Sequence, residues 1–299
     1  MPVVRLPGIN LHYLRMDRRP DPGAPGDDVV MVHGLAANLA FWYARLAPAF
    51  AASHRTLLFD LRGHGRSTMS ANGYSPRIMA EDLWHLLHQT GVTTLHLIGH
   101  SFGGLVALHF ALRQPQWVRS LTLLDTRIPT LQGLLPRNPA YTRRIQPFLE
   151  RLGIQLDESD PLFSHRLLEE MAKLSLGAPE RVQRLPDLHL PFTGPVGQRA
   201  ARHWLRLLEV TTARRELAED GLSLVALQTL RLPTLAMYGE YSQALPSAYG
   251  LRALWPQTRV ELVPKAGHFF PVSQPELLIR VWRDFLTNLA QPPCGMHDA

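Results

Sequence analysis

Short apolar runs, separated by amphipathic segments, dominate the hydrophobic pattern of the chain. Six of these runs are rich in branched residues and nearly continuous: VVMV (29–32), TLLF (56–59), TLHLI (94–98), SLTLL (120–124), PTLAMY (233–238) and RVELV (259–263). Such runs are typical of strands that are buried on both faces of a parallel sheet. Ahead of them, residues 4–13 alternate around Pro7-Gly8, and this pattern predicts an opening β-hairpin.

Amphipathic helices are predicted between these runs. Ser75 is a good N-cap, Pro76 follows it at the first helical position, and Met79, Leu83 and Leu87 then repeat at helical spacing. The alternation of strands and helices indicates an α/β fold with a doubly wound sheet.

The alternation stops between about residues 127 and 229. That stretch contains helix-like pieces such as YTRRIQPFLERL and QRAARHWLRLLE, and it holds no convincing strand. We therefore expect residues 127–229 to form a helical insertion, or cap, over the end of the sheet. Residues 1–126 and 230–299 are then expected to form the core domain.

Length and composition fit one large α/β domain with an insertion, since the chain has 299 residues, 45% hydrophobic and 19% charged. No apolar run approaches the roughly 20 residues of a membrane helix, and the N-terminus lacks a block of signal-peptide length. We therefore expect a cytoplasmic protein that does not bind membranes. Cys294 is the only cysteine, which excludes an internal disulfide and a cysteine metal site.

The formal net charge is +6, and much of the excess is arginine scattered between Arg113 and Arg231. No zinc-finger spacing or other nucleic-acid motif accompanies it, so we expect no nucleic-acid partner. A solvated basic face explains such a charge. Attraction to an anionic substrate or to an acidic acyl carrier protein is the alternative.

A G-x-S-x-G motif stands at Gly99-His100-Ser101-Phe102-Gly103, directly after TLHLI and before the helix-like LVALHFALRQ. Between a strand and a helix, this motif forms a nucleophile elbow. The tight turn exposes the serine hydroxyl, small neighbours relieve crowding, and the helix N-terminus favours negative charge. Ser101 is therefore the predicted nucleophile.

A serine hydroxyl needs a base to take its proton. His268 lies in the loop KAGHFFP, after the last predicted strand. Loops that follow parallel strands gather at one edge of the sheet, so Ser101 and His268 are expected to converge there. The oxyanion hole needs two backbone N–H groups, and we assign them to Phe102 and to Leu35 in the loop after VVMV. In that loop, Gly34 permits close approach of the backbone.

Four segments together resemble the α/β-hydrolase superfamily, in the expected order: HGLAAN (33–38), FDLRGHGRS (59–67), GHSFGG (99–104) and AGHFFP (266–271). The resemblance covers about residues 1–126 and 230–299. It implies an eight-stranded, mostly parallel sheet, a helical cap inserted after the sixth strand, and a Ser–acid–His triad. It also implies a structural role for Asp60, Arg62 and His64.

The chain departs from the family pattern at the acid. Most members carry it after the seventh strand in a phrase like G-x-x-D, and here that phrase reads Gly239-Glu240-Tyr241-Ser242. Serine cannot supply the negative charge that orients and stabilises the imidazole. Asp125, which ends the sixth strand where some relatives carry their acid, is preferred, and Glu240 is the alternative. A Ser–His dyad held by backbone or water stays open, and Asp125 also fits a polar strand end.

These residues predict a serine hydrolase that cleaves a carboxylic ester or thioester through an acyl-enzyme, with no metal or cofactor. The alternatives are a thioesterase or acyltransferase that acts on carrier-linked acyl chains, and a slow-turnover ligand receptor that retains the triad. Serine at the elbow argues against dehalogenase and epoxide hydrolase chemistry, for which the resemblance implies an aspartate nucleophile. Five aromatic residues are candidates for substrate contact, although they also fit helix packing: Phe41, Trp42, Phe163, Phe192 and Trp204.

Overall fold

The computed structural model describes residues 2–17, 27–133, 135–183 and 192–290. Cys294 and residues 18–26 of the loop before the third strand lie outside these ranges. The strands of the described residues are β1 (Val3–Leu6), β2 (Ile9–Met16), β3 (Asp28–Val32), β4 (Thr56–Phe59), β5 (Leu95–His100), β6 (Val118–Leu124), β7 (Thr234–Gly239) and β8 (Arg259–Val263).

Helices separate most of these strands. Their bounds are α1 (Ala40–Tyr43), α2 (Leu46–Ala51), α3 (Pro76–Thr90), α4 (Phe102–Arg113), α5 (Pro129–Gln132), α6 (Pro139–Leu152), α7 (Phe163–Gly177), α8 (Pro179–Gln183), α9 (Gly194–Val210), α10 (Ala213–Glu216), α11 (Leu224–Thr229), α12 (Leu245–Leu254), α13 (Phe270–Ser273) and α14 (Pro275–Ala290).

The eight strands form one sheet in the order β1-β2-β4-β3-β5-β6-β7-β8. β1 and β2 form the predicted hairpin, and β2 pairs antiparallel with β4. All other neighbours are parallel. The prediction of an eight-stranded, mostly parallel sheet is confirmed. Each of the six apolar runs coincides with a strand to within two residues.

Both faces of the sheet are buried, as the continuous apolar runs require. In β3, Val30 and Val32 pack into the larger apolar cluster, whereas Val29 and Met31 pack into the smaller one on the opposite face. Successive side chains of a strand point to opposite faces, so a central strand needs apolar residues at every position. α3, α4 and α12 contribute to the larger cluster, and α1, α2 and α14 contribute to the smaller one.

The helix α3 shows how local sequence sets an element. The Ser75 hydroxyl accepts a hydrogen bond from Ile78 N–H, Pro76 occupies the first turn, and Gly91 ends the helix with a φ of 69°. Met79 and Leu83 are fully buried. Burial of one such side chain contributes about 1.5–3 kcal/mol, so packing stabilises the helix more than its cap does.

Between β6 and β7 the chain forms seven helices, α5 to α11, and the residues described there contain no strand. Helix α9 contacts the core directly, because His203 Nε2–H donates to the Gly63 carbonyl at 2.8 Å. The division into a core and a cap at residues 127–229 stays a prediction. None of the helices described combines the length and the apolar character that crossing a membrane requires.

Candidate active site

Ser101 occupies the single residue between β5 and α4, with φ 55° and ψ −126°. This backbone conformation is strained for a residue with a side chain. Two backbone hydrogen bonds hold it: Ser101 N–H donates to the Leu124 carbonyl of β6, and the Ser101 carbonyl accepts from Gly104 N–H, both at 2.9 Å. The turn is therefore fixed by the sheet on one side and by the helix on the other.

The glycines of the G-x-S-x-G motif are required by close contact between backbones. A Cβ atom on Gly99 would lie 2.5 Å from the Gly103 carbonyl oxygen. A Cβ atom on Gly103 would collide with the Val32 carbonyl oxygen of β3. A larger residue at either position would push the elbow away from the sheet, so the motif has a steric cause here.

His268 lies in the loop between β8 and α13 and meets Ser101 across the sheet edge. Its Nε2 atom is 2.9 Å from Ser101 Oγ, and its Nδ1 atom is 2.9 Å from Asp125 Oδ1. The His268 side chain is 37% exposed, whereas that of Asp125 is fully buried. The convergence expected from the loop positions is therefore found, and the imidazole is open to solvent on one side.

The two candidate acids have different partners. Asp125 follows β6 in a left-handed conformation, with φ 48°, and its carboxylate reaches His268. Glu240 follows β7, and its Oε2 atom accepts the backbone N–H of Lys265 at 2.7 Å. The geometry thus brings Asp125, rather than Glu240, to the imidazole.

His100, beside the nucleophile, holds the backbone of the loop that carries His268. Its Nε2–H donates to the His268 carbonyl at 3.0 Å, and the Phe41 ring stacks on it at 4.7 Å between centroids. Burial, with a smaller contribution from His268, lowers the pKa of His100 to about 3. Sequence reasoning assigned His100 no role, although its place next to Ser101 was a usable signal.

The predicted oxyanion loop approaches the nucleophile closely. A Cβ atom on Gly34 would lie 3.0 Å from Ser101 Cβ, and Ala36 adopts a φ of 55° at the tip of the turn. Within the described part of the chain, neither Leu35 N–H nor Phe102 N–H donates to a protein acceptor. The first N–H groups of a helix have no partner inside it, so Phe102 has one to offer.

His33 braces this loop as a neutral imidazole. The backbone N–H of Leu61 donates to its Nε2 atom at 3.1 Å, so that nitrogen carries no proton. The Nδ1–H then donates to the Gly34 carbonyl at 2.8 Å. Burial lowers the pKa of His33, which is consistent with the neutral form. The position of Gly34 is therefore fixed by the neighbouring loop after β4.

The segment FDLRGHGRS supplies contacts that hold the loops at this edge. Asp60 accepts His12 Nδ1–H and the Leu39 backbone N–H, each at 2.7 Å. Arg62 forms two hydrogen bonds with the Asp82 carboxylate, at 2.9 and 2.7 Å. His64 is also buried, and burial lowers its pKa to about 3.

The five aromatic candidates are mostly buried. Phe41 is half-buried beside His100, and Trp42 packs fully inside the smaller apolar cluster. Phe163, Phe192 and Trp204 are each 1% exposed. Of these, Trp204 borders a cavity of about 390 Å³ among the helices that follow β6. Contact of any of the five with substrate stays a prediction.

No group of three or more His, Cys, Asp or Glu side chains in residues 2–17, 27–133, 135–183 and 192–290 is arranged to hold a metal ion.

Comparison with known proteins agrees with this geometry. A family model described as alpha/beta hydrolase fold matches residues 28–275. The chain is 27% identical to a protein of Variovorax paradoxus (strain S110) provisionally named carbamate hydrolase RutD, over 90% of this chain and 95% of that protein. It is 28% identical to the pimeloyl-(acyl-carrier protein) methyl ester esterase of Aeromonas hydrophila, over 87% of this chain and 96% of the esterase.

A solved structure gives a similar result. The thermophilic esterase from Thermogutta terrifontis superposes with a TM-score of 0.61 at 26% identity, and the match covers 97% of each chain.

Proposed function

Because the chain belongs to the α/β-hydrolase fold family, we propose that it is a serine hydrolase that cleaves a carboxylic ester or thioester through an acyl-enzyme at Ser101. One observation carries the proposal: hydrogen bonds link the Asp125 carboxylate, the His268 imidazole and the Ser101 hydroxyl, with 2.9 Å on each side of the imidazole. The esterases among the similar proteins support an ester as the substrate.

In the first proposed step, Ser101 Oγ attacks the acyl carbon and its proton passes to His268 Nε2. Asp125 accepts the Nδ1–H of His268, so the resting imidazole presents an unprotonated Nε2 to the hydroxyl. The same contact stabilises the imidazolium that forms. The Leu35 and Phe102 N–H groups bind the negative charge that develops on the carbonyl oxygen.

The acyl-enzyme then forms and is hydrolysed. His268 returns its proton to the departing alcohol or thiol, which leaves the acyl group bonded to Ser101. Water next loses a proton to the same imidazole and adds to the acyl carbon, and Ser101 departs with the proton restored. One water is consumed, and one acid and one alcohol or thiol are released. His100 stays neutral throughout, because burial lowers its pKa to about 3.

Covalent labelling with a fluorophosphonate probe tests the proposal. The parent protein should label, whereas Ser101→Ala should not, and His268→Ala should label at least about a hundredfold more slowly. Ser273→Ala and His88→Ala, which change exposed residues, serve as matched controls and should label like the parent. A parent that does not label, or Ser101→Ala that labels normally, overturns the proposal.

A carrier-linked acyl ester or thioester is a second candidate substrate. Three observations favour it: the name of the Aeromonas relative, the net charge of +6, and a pair of exposed arginines, Arg143 and Arg144. The Arg144 guanidinium lies 4.1 Å from the Tyr241 ring, and Tyr241 N–H bonds the carbonyl of Ala266, two residues before His268. The basic pair is therefore close to the loop of the proposed base.

A substrate comparison separates the two candidates. If the carrier is recognised, kcat/KM for a carrier-linked acyl group exceeds that for the same acyl group as a simple ester. Arg143→Glu with Arg144→Glu then reduces only the carrier reaction, because electrostatic complementarity acts mainly on association. Equal loss with both substrates contradicts carrier recognition. Product analysis with an added alcohol distinguishes acyl transfer from hydrolysis, and labelling without turnover of any ester identifies a receptor.

A further inference from the structure

The buried carboxylate of Asp125 is surrounded by three hydrogen-bond donors. Its Oδ1 atom accepts His268 Nδ1–H at 2.9 Å and also the hydroxyl of Ser242. Its Oδ2 atom accepts the backbone N–H of Gly239 at 2.8 Å. An ionised carboxylate only accepts hydrogen bonds, so all three contacts compensate its removal from water.

The direction of the Ser242 hydroxyl proton follows from its second contact. The backbone N–H of Ala244 donates to Ser242 Oγ at 3.0 Å, so that contact uses a lone pair of the oxygen. The carboxylate of Asp125 has no proton to give, and the hydroxyl hydrogen must therefore point to it. Ser242 is 1% exposed, so water does not compete for this bond.

A rigid turn delivers the hydroxyl. Ser242 N–H donates to the Gly239 carbonyl at 3.0 Å, which closes the turn after β7. The side-chain amide of Asn138 donates to the carbonyls of Glu240 and Ser242, at 2.9 and 2.8 Å. Asn138 immediately precedes α6, so the helical segment holds the turn from outside.

Ser242 and His268 share one oxygen of the carboxylate, and this arrangement assigns a task to Ser242. Gly239 N–H holds Oδ2 and the Ser242 hydroxyl holds Oδ1, so rotation of the carboxylate about Cβ–Cγ breaks one bond or both. Without the hydroxyl, Oδ1 is held only by the imidazole that it has to orient. We infer that Ser242 is a positioning residue that fixes the Asp125 carboxylate for His268. This inference rests on the proposed function.

Variants at one position separate the hydroxyl from its bulk. Ser242→Thr and Ser242→Val add nearly the same volume, and only threonine keeps the hydroxyl. We expect Ser242→Ala and Ser242→Val to lower kcat for p-nitrophenyl acetate, and the rate of fluorophosphonate labelling, by about tenfold, with KM within about twofold. Ser242→Thr should remain within about threefold of the parent. Melting temperatures measured alongside identify variants that have not folded.

Two outcomes overturn the inference. If Ser242→Thr and Ser242→Val are equally slow while both remain folded, volume and not the hydroxyl is responsible. If Ser242→Ala turns over at the parent rate, the bond to Asp125 has no effect on the reaction.

A double-mutant cycle tests whether Ser242 acts through Asp125. In an Asp125→Asn background, Ser242→Ala should reduce the residual rate by less than about twofold, because the group that it positions is already absent. A further tenfold loss in that background means that Ser242 acts elsewhere and contradicts the inference. Failure of the proposed function is distinguishable, since the parent itself would then not label.

Discussion

The molecule contains two buried aspartate–histidine pairs, each close to a serine, and they have opposite characters. Asp125 bonds His268 at 2.9 Å, and Asp60 bonds His12 at 2.7 Å. The His268 side chain is 37% exposed, whereas that of His12 is 7% exposed. An aspartate–histidine contact therefore does not identify a catalytic site, and exposure of the imidazole is one of the differences.

The serines make the second difference. The Ser67 hydroxyl donates to the Asp60 carbonyl at 2.6 Å and accepts the backbone N–H of His12 at 3.0 Å. Both of its hydrogen-bonding functions are thus used by backbone groups. Ser101 instead stands on a strained turn, and its hydroxyl meets His268 Nε2. A reactive serine needs a free attack direction and a base, and only Ser101 has both.

The strongest test of this contrast is removal of the Asp125 charge. Asp125→Asn should lower kcat/KM by about 10³–10⁴, because asparagine neither stabilises the imidazolium nor fixes its tautomer. Steady-state kinetics on a short ester measures the loss. Glu240→Gln, the matched control at the alternative acid, should stay within about twofold of the parent. A large loss for Glu240→Gln and a small one for Asp125→Asn would reverse the assignment.

Removal of the other buried charge should affect stability rather than rate. Asp60 accepts donors from His12, Leu39 and Arg66, and the amide nitrogen of asparagine would face one of these donors. We expect Asp60→Asn to lower the free energy of unfolding by about 3 kcal/mol, with kcat of the folded protein within about fivefold. Denaturant titration measures it, with the exposed Asp284→Asn as control. An unchanged midpoint would contradict the structural role of the pair.

The two serines should respond in the same way as their pairs. Ser67→Ala leaves two backbone groups without a buried partner and should cost about 1–3 kcal/mol of unfolding free energy. Ser101→Ala should change that free energy by less than about 0.5 kcal/mol while abolishing labelling. Thermal unfolding of both variants checks the pair of predictions. Equal destabilisation by the two substitutions would mean that Ser101 also has a structural task.

The smallest expected effect concerns pH and the loop that carries Asp60. Burial lowers the pKa of His64 from 6.5 to about 3. In this window the unfolded state binds the proton more readily, so stability is complete above 6.5 and is lost as the pH falls. From pH 6.5 to about 5.5 the loss from His64 is about 1 kcal/mol.

His64→Gln should remove that part of the pH dependence, whereas the exposed control His88→Gln should not. Unfolding free energies at the two pH values measure the difference. Identical slopes for the parent and His64→Gln would show that His64 does not titrate in this way.

The sequence predicted the parts of the site that local pattern determines. The elbow lies between a strand and a helix because continuous apolar residues precede Ser101 and a helical stripe follows it. His268 could be selected from 14 histidines because loops after parallel strands share one edge. Asp125 and Glu240 could not be separated, since both end neighbouring strands and only tertiary packing decides which carboxylate turns toward His268.

Other features depend on contacts between distant segments. Ser242 was recognised as the residue in place of the usual acid, but no local pattern indicates that its hydroxyl reaches Asp125. His12 and Asp60 are 48 residues apart, and their contact requires the pairing of β2 with β4. The aromatic candidates Phe163 and Trp204 could not be assigned to packing or to substrate, because helical periodicity marks a buried face without naming what it buries.

The bond between His203 and the Gly63 carbonyl has a consequence for how this protein can diverge. Leu207, one turn further along α9, also lies against Gly63, where an added Cβ would approach its methyl group to 2.7 Å. The loop that contains Gly63 also carries Leu61, whose N–H bonds His33 beside Gly34. Mutational drift in α9 thus reaches the predicted oxyanion loop through two intermediates, whereas an outer helix such as α8 is free to vary when a new substrate is selected.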